Sequence, residues 1–501
     1  MERRTFIKLG TLSSLAMLLP ACSRSYQFKE YDVVMMSDSS TGHLVRSSYS
    51  FPRQAPIHKD VVIVGGGVAG LSAASYLKDR DIMVCELSAQ LGGSSASHEY
   101  NGQVFSQGAH YDLAYPAYYG KAVLAKLKEL NIIIFNEYSQ LWEFVDKQFV
   151  IESSKESRSL VNGDFREDVL PSGPEKQFFL GLISQFLGKM TMPSTEIEEE
   201  LRYLNDVSFL DYLKEQKAML SEEFVLALDY MVKDDFGAGC SVVSALAGIH
   251  YFMCRPYYIQ EVELFSPPEG NNYFVNKLAE TLKSEQLATQ HLVSSIRFGD
   301  DGFEVEIIDV QAKEVKVVQS EKVIYAGQKH ALKYIYPADK KLFSENVYAP
   351  WVVVNVVLNK SVESNVFWQN EIVGENRRFL GFVDSRSQFS ENDAYVLTAY
   401  FCYELDEREK LLEIEKTPQK IVNETINTIS SYFDEDISEL VEKVFVKPLG
   451  HAIPVPTVGY LFNDKNEKRN NPNLVYAGVD NSRLPLFFEA MDSGIRAAQL
   501  V

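Results

Sequence analysis

The residues with the clearest chemical meaning in this sequence are three glycines spaced as in a phosphate-binding turn. Gly65, Gly67 and Gly70 form the pattern G-x-G-x-x-G, with Val68 and Ala69 between the second and third glycines. The first glycine of such a pattern permits a tight turn, the second lets the backbone approach a pyrophosphate, and the third lets a helix pack closely on a strand. Backbone N–H groups at the start of that helix would bind the anion. The spacing therefore predicts a dinucleotide site.

The residues around these glycines predict the elements that must position them. Residues 61–64 are all apolar, which is typical of a parallel strand covered on both faces. A second strand, over 82–85, ends in Glu86, whose carboxylate could bind both hydroxyls of an adenosine ribose and would repel a 2′-phosphate. These elements follow one another within the length of one βαβ unit. Dinucleotide binding is therefore preferred over the alternative, a glycine turn with only a structural role.

The composition is globular and acidic. Among 501 residues, 46% are hydrophobic and 24% are charged, and the formal net charge is −20. A chain of this length can bury large cores and is expected to form two domains. The negative charge argues against nucleic acid as a partner, because nucleic-acid binding needs a basic surface. It could favour cationic substrates, although a solvated acidic surface is the simpler explanation.

The N-terminus, residues 1–22, is predicted to be a signal and not part of the fold. Arg3-Arg4 precedes the apolar residues 9–19, a stretch too short to span a bilayer as a stable helix. The segment resembles a twin-arginine export signal followed by a lipoprotein box. This implies cleavage before Cys22, a lipid on its sulfur, and attachment at the periplasmic or outer face of a bacterial envelope. An ordinary secretory signal or an uncleaved anchor is the alternative.

The other cysteines do not predict a metal site. Cys85, Cys240, Cys254 and Cys402 form no C-x-x-C pair. Cys85 falls in a predicted buried strand, where we expect it to act as a small hydrophobe. A disulfide between Cys240 and Cys254 and a pair of inert buried thiols are both open.

The predicted elements indicate two domains that are interleaved in sequence. Helices are predicted at 121–130, 175–187, 197–215, 222–232 and 486–500, and strands at 292–298, 303–310, 315–318, 322–325, 351–358 and 474–477. The strands at 292–298 and 303–310 flank a Gly-Asp-Asp-Gly hairpin turn. The predicted divisions are the signal (1–22), a tether and N-terminal arm (23–58), three nucleotide-binding segments (59–110, 255–330 and 446–501) and two segments of a substrate domain (111–254 and 331–445).

Further glycine segments indicate a long ligand. Gly92-Gly93 follows Glu86, Gly108-Ala109 follows a short strand, and Ser493-Gly494 lies near the C-terminus. In this order the chain resembles the FAD-dependent amine oxidase and phytoene desaturase superfamily, and it is similar to spermidine dehydrogenase-like flavoproteins around Gly92-Gly93. The resemblance runs over residues 59–500 and rests on GGGVAGLSAA, Glu86, Gly92-Gly93, Gly108-Ala109, PPEGNNYFVNKLAE, KVIYA and the terminal AGVD and EAMDSGIRAA.

This resemblance implies FAD as the cofactor and an α/β fold, in which a Rossmann-like FAD-binding domain is interleaved with an α+β substrate domain. Glu86 would hold the adenosine ribose, and the backbone of Val293 would contact adenine. Gly478 and Asp480 would meet the ribityl–phosphate region, and Met491 would lie near the flavin ring. The remaining contacts are assigned to Gly65, Gly67, Val68, Ala69, Gly70, Gly92, Gly93, Ser94, Gly108 and Ala109.

The sequence departs from the family pattern at two places. The family often has Arg or Lys directly after the glycine pair, whereas this chain has Ser94, so one phosphate contact is missing or replaced. Amine oxidases of the family carry a lysine that holds a water near flavin N5. The matching region here, 349–352, is Ala-Pro-Trp-Val and has no lysine.

Three histidines are candidate catalytic residues, because imidazole can stabilise charge near the flavin or act on substrate protons. His110 follows Gly108-Ala109, His250 lies on a predicted helix, and His451 lies in a loop ordered by prolines. A satisfied structural histidine is the alternative for each. Asp234-Asp235, at a helix end before a glycine turn, could bind an amine, and solvated loop acids are the alternative.

These observations lead to three functional hypotheses. The preferred one is an exported, lipid-anchored FAD-dependent oxidoreductase that oxidises an amine or another small organic substrate by hydride transfer to flavin. The second is a desaturase acting on a lipophilic, isoprenoid-like substrate, and the third is a non-catalytic FAD-bound interaction protein of the envelope. A polyamine substrate predicts acids lining the substrate cavity, whereas a lipid predicts an apolar tunnel.

Overall fold

The computed structural model of the protein describes residues 28–47, 49–108, 118–151, 156–217, 219–254, 258, 264–362, 365, 367–388 and 395–501. The predicted signal with Cys22 lies outside the described residues, and so do Ala109 and His110. The predictions made for those positions therefore stay predictions.

The described strands fall into two large sheets and three two-stranded sheets, two of which are hairpins. In chain order the strands are β1 (Val33–Met35), β2 (Ile57–Val64), β3 (Ile82–Cys85), β4 (Ser97–Tyr100), β5 (Gln103–Ser106), β6 (Ile133–Asn136), β7 (Leu141–Phe144), β8 (Val150–Ile151), β9 (Ser157–Val161), β10 (Asp164–Arg166), β11 (Leu264–Phe265), β12 (Leu287–Ala288), β13 (His291–Gly299), β14 (Gly302–Asp309), β15 (Glu314–Tyr325), β16 (Tyr348–Leu358), β17 (Gln369–Val373), β18 (Phe379–Asp384), β19 (Tyr395–Cys402), β20 (Val441–Pro454) and β21 (Leu474–Tyr476).

The described α-helices pack against these sheets. They are α1 (Ser39–Gly42), α2 (Val68–Tyr76), α3 (Lys121–Glu129), α4 (Pro174–Ile183), α5 (Phe209–Glu215), α6 (Glu222–Phe236), α7 (Ala245–Cys254), α8 (Asn272–Ala279), α9 (Leu332–Ile335), α10 (Lys410–Lys416), α11 (Gln419–Phe433) and α12 (Phe487–Gln499).

The first sheet is built around β2, as the sequence predicts. Its order among the described residues is β12-β3-β2-β15-β14-β13, with β21 also paired to β15. Strand β2 is parallel to both β3 and β15. Val61 and Ile63 pack with α2 and α12 on one face, while Val62 and Val64 pack on the other. Burial on both faces explains the unbroken apolar run.

The second sheet has the order β1-β20-β16-β19-β18-β17-β9-β10. Residues of β16 alternate between its two faces, as strand geometry requires. Val352, Val354 and Val356 pack in a core with α11. Trp351 and Val353 pack in the core that contains α4 to α7. The sheet therefore has helices on both sides, and both sheets draw strands from separated parts of the chain.

Most predicted elements are present. The hairpin is confirmed, with Gly299 paired to Gly302. The two strands predicted at 315–318 and 322–325 form one continuous strand, β15. The single helix predicted over 197–215 is wrong, because a 3-10 helix at Glu199–Asn205 precedes a separate α5. Ser208 starts α5 by accepting a hydrogen bond from the N–H of Asp211 at 3.1 Å, which places a cap inside the predicted helix.

Two further open questions of the sequence have answers in the structure. Cys240 and Cys254 are buried thiols that are not joined to each other. Among the described helices, none is long and apolar enough to cross a membrane. The exact domain boundaries stay a prediction, although β20 continues in the larger sheet as far as Pro454.

Candidate functional site

The glycine turn after β2 has the geometry that its spacing predicts. Gly65 has a φ of +101°, which favours glycine, and its N–H donates to the carbonyl of Cys85 at 2.8 Å. A Cβ on Gly70 would lie 1.9 Å from the carbonyl oxygen of Gly65. Helix α2 begins directly after Gly67. The third glycine is therefore needed for close packing of the helix on the turn, and Val68 and Ala69 form the helix start.

A second glycine turn lies against the first. The N–H of Gly92 donates to the carbonyl of Gly66 at 2.9 Å, and Gly67 and Gly92 are bridged in parallel. Gly92 and Gly93 both have positive φ values, +117° and +59°. A Cβ on Gly67 would meet only the carbonyl oxygen of Gly92, at 3.9 Å. The two turns thus leave space in which backbone N–H groups could contact a diphosphate.

Glu86 lies at the edge of this double turn. Its carboxylate accepts the N–H of Gly66 at 2.7 Å and the N–H of Ser88 at 2.8 Å. Burial raises the pKa of Glu86, and the two N–H groups oppose that shift. The carbonyl of Glu86 accepts the N–H of His291, so β13 and Val293 begin beside it. The structure therefore brings the predicted ribose and adenine positions together.

The C-terminal segment packs onto the same turn. A Cβ on Gly494 would lie 2.1 Å from the carbonyl oxygen of Ala69, so α12 packs directly on the start of α2. Gly478, with a φ of +116°, donates its N–H to the hydroxyl of Ser493 at 2.9 Å. Met491 is wholly buried in the core between α12 and α8. These contacts bring residues from both ends of the chain to one cleft.

Asp480 forms an ion pair that no pattern in the sequence predicts. The ammonium of Lys329 donates to the Asp480 carboxylate at 2.8 Å and to the carbonyl of Ala477 at 2.6 Å. The hydroxyl of Tyr348 donates to the same carboxylate at 3.1 Å. The Lys329 side chain is wholly buried. Lys329 and Tyr348 thus fix Asp480 at the predicted ribityl–phosphate position.

Ser94 and Gly108 lie next to each other although they are far apart in sequence. A Cβ on Gly108 would be 1.7 Å from the carbonyl oxygen of Ser94. The hairpin of β4 and β5 joins the two positions. The segment that leads towards Ala109 and His110 therefore starts at the glycine cradle.

A buried amide lies beside this segment, on strand β16. Asn355 is wholly buried, and its Nδ2 donates to the carbonyl of Ser106 and to the hydroxyl of Thr398, both at 2.9 Å. Within the part of the chain that the structure describes, its Oδ1 accepts no hydrogen bond. A buried acceptor of this kind is able to bind a water or a ligand donor. Asn355 lies on the strand whose start lacks the expected lysine.

A cavity of about 20 Å³, with room for one water-sized group, lies on the same side of the larger sheet. It is lined by Asp234, Gln369, Asn370, Leu380, Gly381, Phe382, Val383 and Tyr400. Tyr400 pairs with Val353 across the sheet, and Thr398 pairs with Asn355, so the cavity wall and the buried amide share one face. Asp234 belongs to the C-terminal turn of α6. The structure thus brings one of the two predicted amine-binding acids to a cavity.

A second carboxylate lies next to this cavity. Glu371 pairs with Gly381, which lines the cavity, and accepts a hydrogen bond from the hydroxyl of Ser159 at 2.5 Å. Burial, together with the charges of Asp234 and Asp168, raises the pKa of Glu371 to about 7. One carboxylate, that of Asp234, therefore lines the cavity among apolar side chains and a second, Glu371, lies beside it, an arrangement that suits a cationic group.

Comparison with known proteins identifies the family. Residues 68–501 match the family of flavin containing amine oxidoreductases. The chain belongs to this family. It is an enzyme of the FAD-dependent oxidoreductase type, with a mixed α/β fold that contains a Rossmann-like FAD-binding part.

Solved structures with the same fold include three proteins whose names state different activities. A triple mutant of putrescine oxidase is 16% identical with a TM-score of 0.62, and 89% of this chain and 99% of that chain are covered. Cyclohexylamine oxidase from Brevibacterium oxydans is 13% identical, with a TM-score of 0.61 and coverage of 88% and 98%. A CLA-producing fatty acid isomerase from P. acnes is 15% identical, with a TM-score of 0.64 and coverage of 88% and 98%.

A curated relative matches a short segment only. The carotenoid 3,4-desaturase of Haloarcula japonica is 41% identical over 71 residues, which are 13% of this chain and 14% of that protein. The chain therefore matches well under two thirds of that relative.

The described residues fit FAD. The double glycine turn leaves open space at Gly67 that a side chain would fill, which is the requirement for close approach of a diphosphate. Glu86 contacts that turn by accepting the N–H of Gly66, and its carbonyl accepts the N–H of His291, two residues before Val293. When bound, FAD supplies the two-electron redox chemistry, and the protein supplies orientation, charge and exclusion of water.

The two described candidate histidines lie in different surroundings. His250 is buried on α7, and its Nε2 lies 3.0 Å from the carbonyl of Thr191. Burial lowers the pKa of His250 to about 4. His451 stacks on His330 with ring centroids 3.6 Å apart, and Tyr348 lies edge-on to both rings. Burial lowers the pKa of His451 to about 3, so both candidates are neutral at pH 7. Their catalytic roles stay predictions.

Proposed function

We propose that this protein is an exported oxidoreductase that oxidises a cationic amine by hydride transfer to FAD. Family membership supports the redox class, and the names putrescine oxidase and cyclohexylamine oxidase among proteins of the same fold favour amines. The observation that carries the amine proposal is the cavity lined by Asp234, with Glu371 beside it. In the reaction, the C–H bond next to a neutral nitrogen would break, its hydride would pass to FAD, and the nitrogen lone pair would form the C=N bond of an iminium ion. Water would then add to the iminium carbon, and a carbonyl product would leave together with ammonia or a smaller amine and one proton.

The residues of this chain would bind and orient the substrate. Asp234 and Glu371 would hold an ammonium group at the outer part of the cavity. Tyr400 and Val383 line the same cavity and would shield the bound ammonium group from bulk water. Asn355 Oδ1 provides an acceptor on the same sheet face, nearer to the segment that leads to His110. Only substrates with a charged end would use the whole site.

An anaerobic reduction screen tests this proposal directly. The purified FAD-loaded protein is mixed with putrescine, spermidine, cyclohexylamine and an isoprenoid, and the flavin absorbance is recorded without oxygen. We expect bleaching by at least one amine. If no amine bleaches the flavin and the isoprenoid does, the amine proposal is wrong and the desaturase replaces it. If none of them reduces the flavin although dithionite does, the proposal fails for all these substrates.

The pH dependence of amine oxidation should follow the ionisation of Glu371. Its pKa of about 7 means that the carboxylate becomes negative as the pH rises through that value, while an aliphatic ammonium stays charged. The kcat/KM for the amine is therefore expected to fall about tenfold per pH unit below pH 7 and to level off above it. Glu371→Gln should flatten this profile between pH 6 and 8. If Glu371→Gln leaves the pH profile of kcat/KM unchanged, the ionisation belongs to another group.

A desaturase is the second candidate function. It is favoured by the short similarity to a carotenoid 3,4-desaturase, and a fatty acid isomerase shares the fold. A lipid chain would need an apolar tunnel, and the carboxylate of Asp234 in the cavity wall disfavours one. The third hypothesis, a non-catalytic FAD-bound interaction protein of the envelope, predicts that the flavin is reduced by no substrate.

The export and lipid anchor are tested at the mature N-terminus. We expect the protein isolated from its native cell envelope to begin at Cys22 and to carry the mass of a lipid on that residue. Substituting Lys for both Arg3 and Arg4 should leave the chain unprocessed in the cytoplasm. Mass spectrometry of both proteins decides this, and an intact Met1 in the wild-type protein would refute export processing.

A further inference from the structure

The double glycine turn holds no cation of its own. A diphosphate carries two negative charges at neutral pH, whereas residues 65–70 and 92–95 include no lysine or arginine. Backbone N–H groups and a helix start supply partial positive charge only. These two segments therefore supply no full positive charge, and a cationic contact to the diphosphate would have to come from another part of the fold.

Lys447 lies on the face of the larger sheet that packs on the β4–β5 hairpin. It is paired with Val353, while Phe445 is paired with Asn355, so all four residues share one face of the larger sheet. The ring of Phe445 lies 4.7 Å from that of His98, and Asn355 bonds to Ser106. The β4–β5 hairpin that this face covers follows directly after Gly92 and Gly93.

The N-terminal arm connects Lys447 to the adenosine end of the cleft. Strand β1 runs parallel to β20, and the N–H of Met36 donates to the carbonyl of Val446 at 2.8 Å. Two residues later, Asp38 accepts a hydrogen bond from the hydroxyl of Ser88 at 2.6 Å. Ser88 in turn donates its N–H to Glu86. This path brings β20 at Lys447 next to the edge of the glycine turn.

The ammonium of Lys447 has no close counter-ion within the described ranges. Burial lowers the pKa of Lys447, and the more distant charges of Asp38 and Glu86 oppose that shift. Lys443 on the same strand differs, because it forms an ion pair with Asp32 at 2.7 Å. A partly buried charge without a close partner costs free energy, which a bound anion would reduce.

We propose that Lys447 supplies the cationic contact to the FAD diphosphate that the glycine turns lack. The contact comes from a strand of the larger sheet, so bound FAD joins the two sheets electrostatically. This inference rests on FAD binding and is independent of which substrate the enzyme oxidises.

The test is the affinity of the apoprotein for FAD in the absence of any substrate. Lys447→Met keeps the unbranched apolar part of the side chain and removes the charged Nζ, and it should weaken FAD binding about 10- to 100-fold. The dissociation constant of ADP for the apoprotein, measured by competition, should rise by a similar factor. The dissociation constant of adenosine should not change, because adenosine has no phosphate. Lys447→Arg should retain most of the affinity. Lys443→Met is the matched control on the same strand, with an expected change below twofold.

The thermal stability of the apoproteins separates binding from folding. Lys447→Met apoprotein should be at least as stable as wild type, because an unpaired ammonium is removed from a partly buried position. If that variant does not fold, Lys447→Gln is used for the same measurements. The proposal is wrong if a folded Lys447 variant binds FAD as tightly as wild type. The proposal is equally wrong if the variant loses as much affinity for adenosine as it loses for ADP.

Discussion

We expect Gly70→Ala to leave the protein without bound FAD. The added Cβ would lie 1.9 Å from the carbonyl oxygen of Gly65, a backbone atom that has no side-chain rotamer with which to move away. Helix α2 must therefore shift by about an ångström or more from the turn, because close-packed interiors leave no room for a smaller adjustment. The N–H groups at the helix start would lose their alignment with the diphosphate. A displacement of about this size costs on the order of 100-fold in binding or rate.

The measurement is the flavin content of the purified variant together with the FAD affinity of its apoprotein. Gly181→Ala is the matched control, since Gly181 also lies in a helix and no atom lies within 4 Å of an added Cβ there. That control should keep its FAD and gain about 0.5–1 kcal/mol of helix stability. A Gly70→Ala protein that purifies with stoichiometric FAD would show that α2 can move without opening the cofactor site.

The second large effect is expected from neutralising the cavity acids. Asp234→Asn combined with Glu371→Gln should lower kcat/KM for a cationic amine by about 100- to 10,000-fold, because each charge-assisted contact is worth about 1.5–3 kcal/mol. Bound FAD and its dithionite reduction should stay unchanged, since Asp234 lines the cavity, Glu371 lies beside it, and neither residue belongs to the glycine turns. The measurement is the rate of anaerobic flavin reduction against amine concentration.

Glu222→Gln provides the control for charge on the same helix. Glu222 lies in the exposed first turn of α6, at the opposite end from Asp234. Its neutralisation should change kcat/KM by less than twofold. If the double variant oxidises the amine as fast as wild type, the acids do not bind the substrate. An equal loss with a neutral substrate would instead indicate damage to the cavity.

The parts of the site that the sequence predicts are those with a local pattern. Gly65, Gly67 and Gly70 are close in sequence, and each glycine meets a steric need within a few residues of itself. Strand β2 was predictable for the same reason, because burial on both faces requires an unbroken apolar run. The helix predicted over 197–215 failed where Ser208, a single capping residue, divides it.

The residues that sequence reasoning missed are isolated polar side chains with distant partners. Lys329 bonds to Asp480 across 151 positions, and Asn355 bonds to Ser106 across 249. Lys447 is one charged residue in a strand, with no neighbouring motif to distinguish it from Lys443. Of these residues, only Asn355 could have been found from the sequence, because it is a polar residue inside the apolar run of β16. A buried amide in such a strand needs a hydrogen-bond partner, which the sequence does not name.

By itself the sequence determined a dinucleotide site and the frame that holds it, because glycine spacing, the βαβ order and Glu86 depend on residues near one another in the chain, and the family resemblance specified FAD. The tertiary structure decided which distant residues meet. It brought Asp234 of α6 to one cavity with the strands that carry Glu371 and Tyr400, and it placed Lys447 on the sheet face that packs on the β4–β5 hairpin. Such groupings depend on how helices pack on the larger sheet and on strand register, which are set by burial across the whole fold rather than by local spacing.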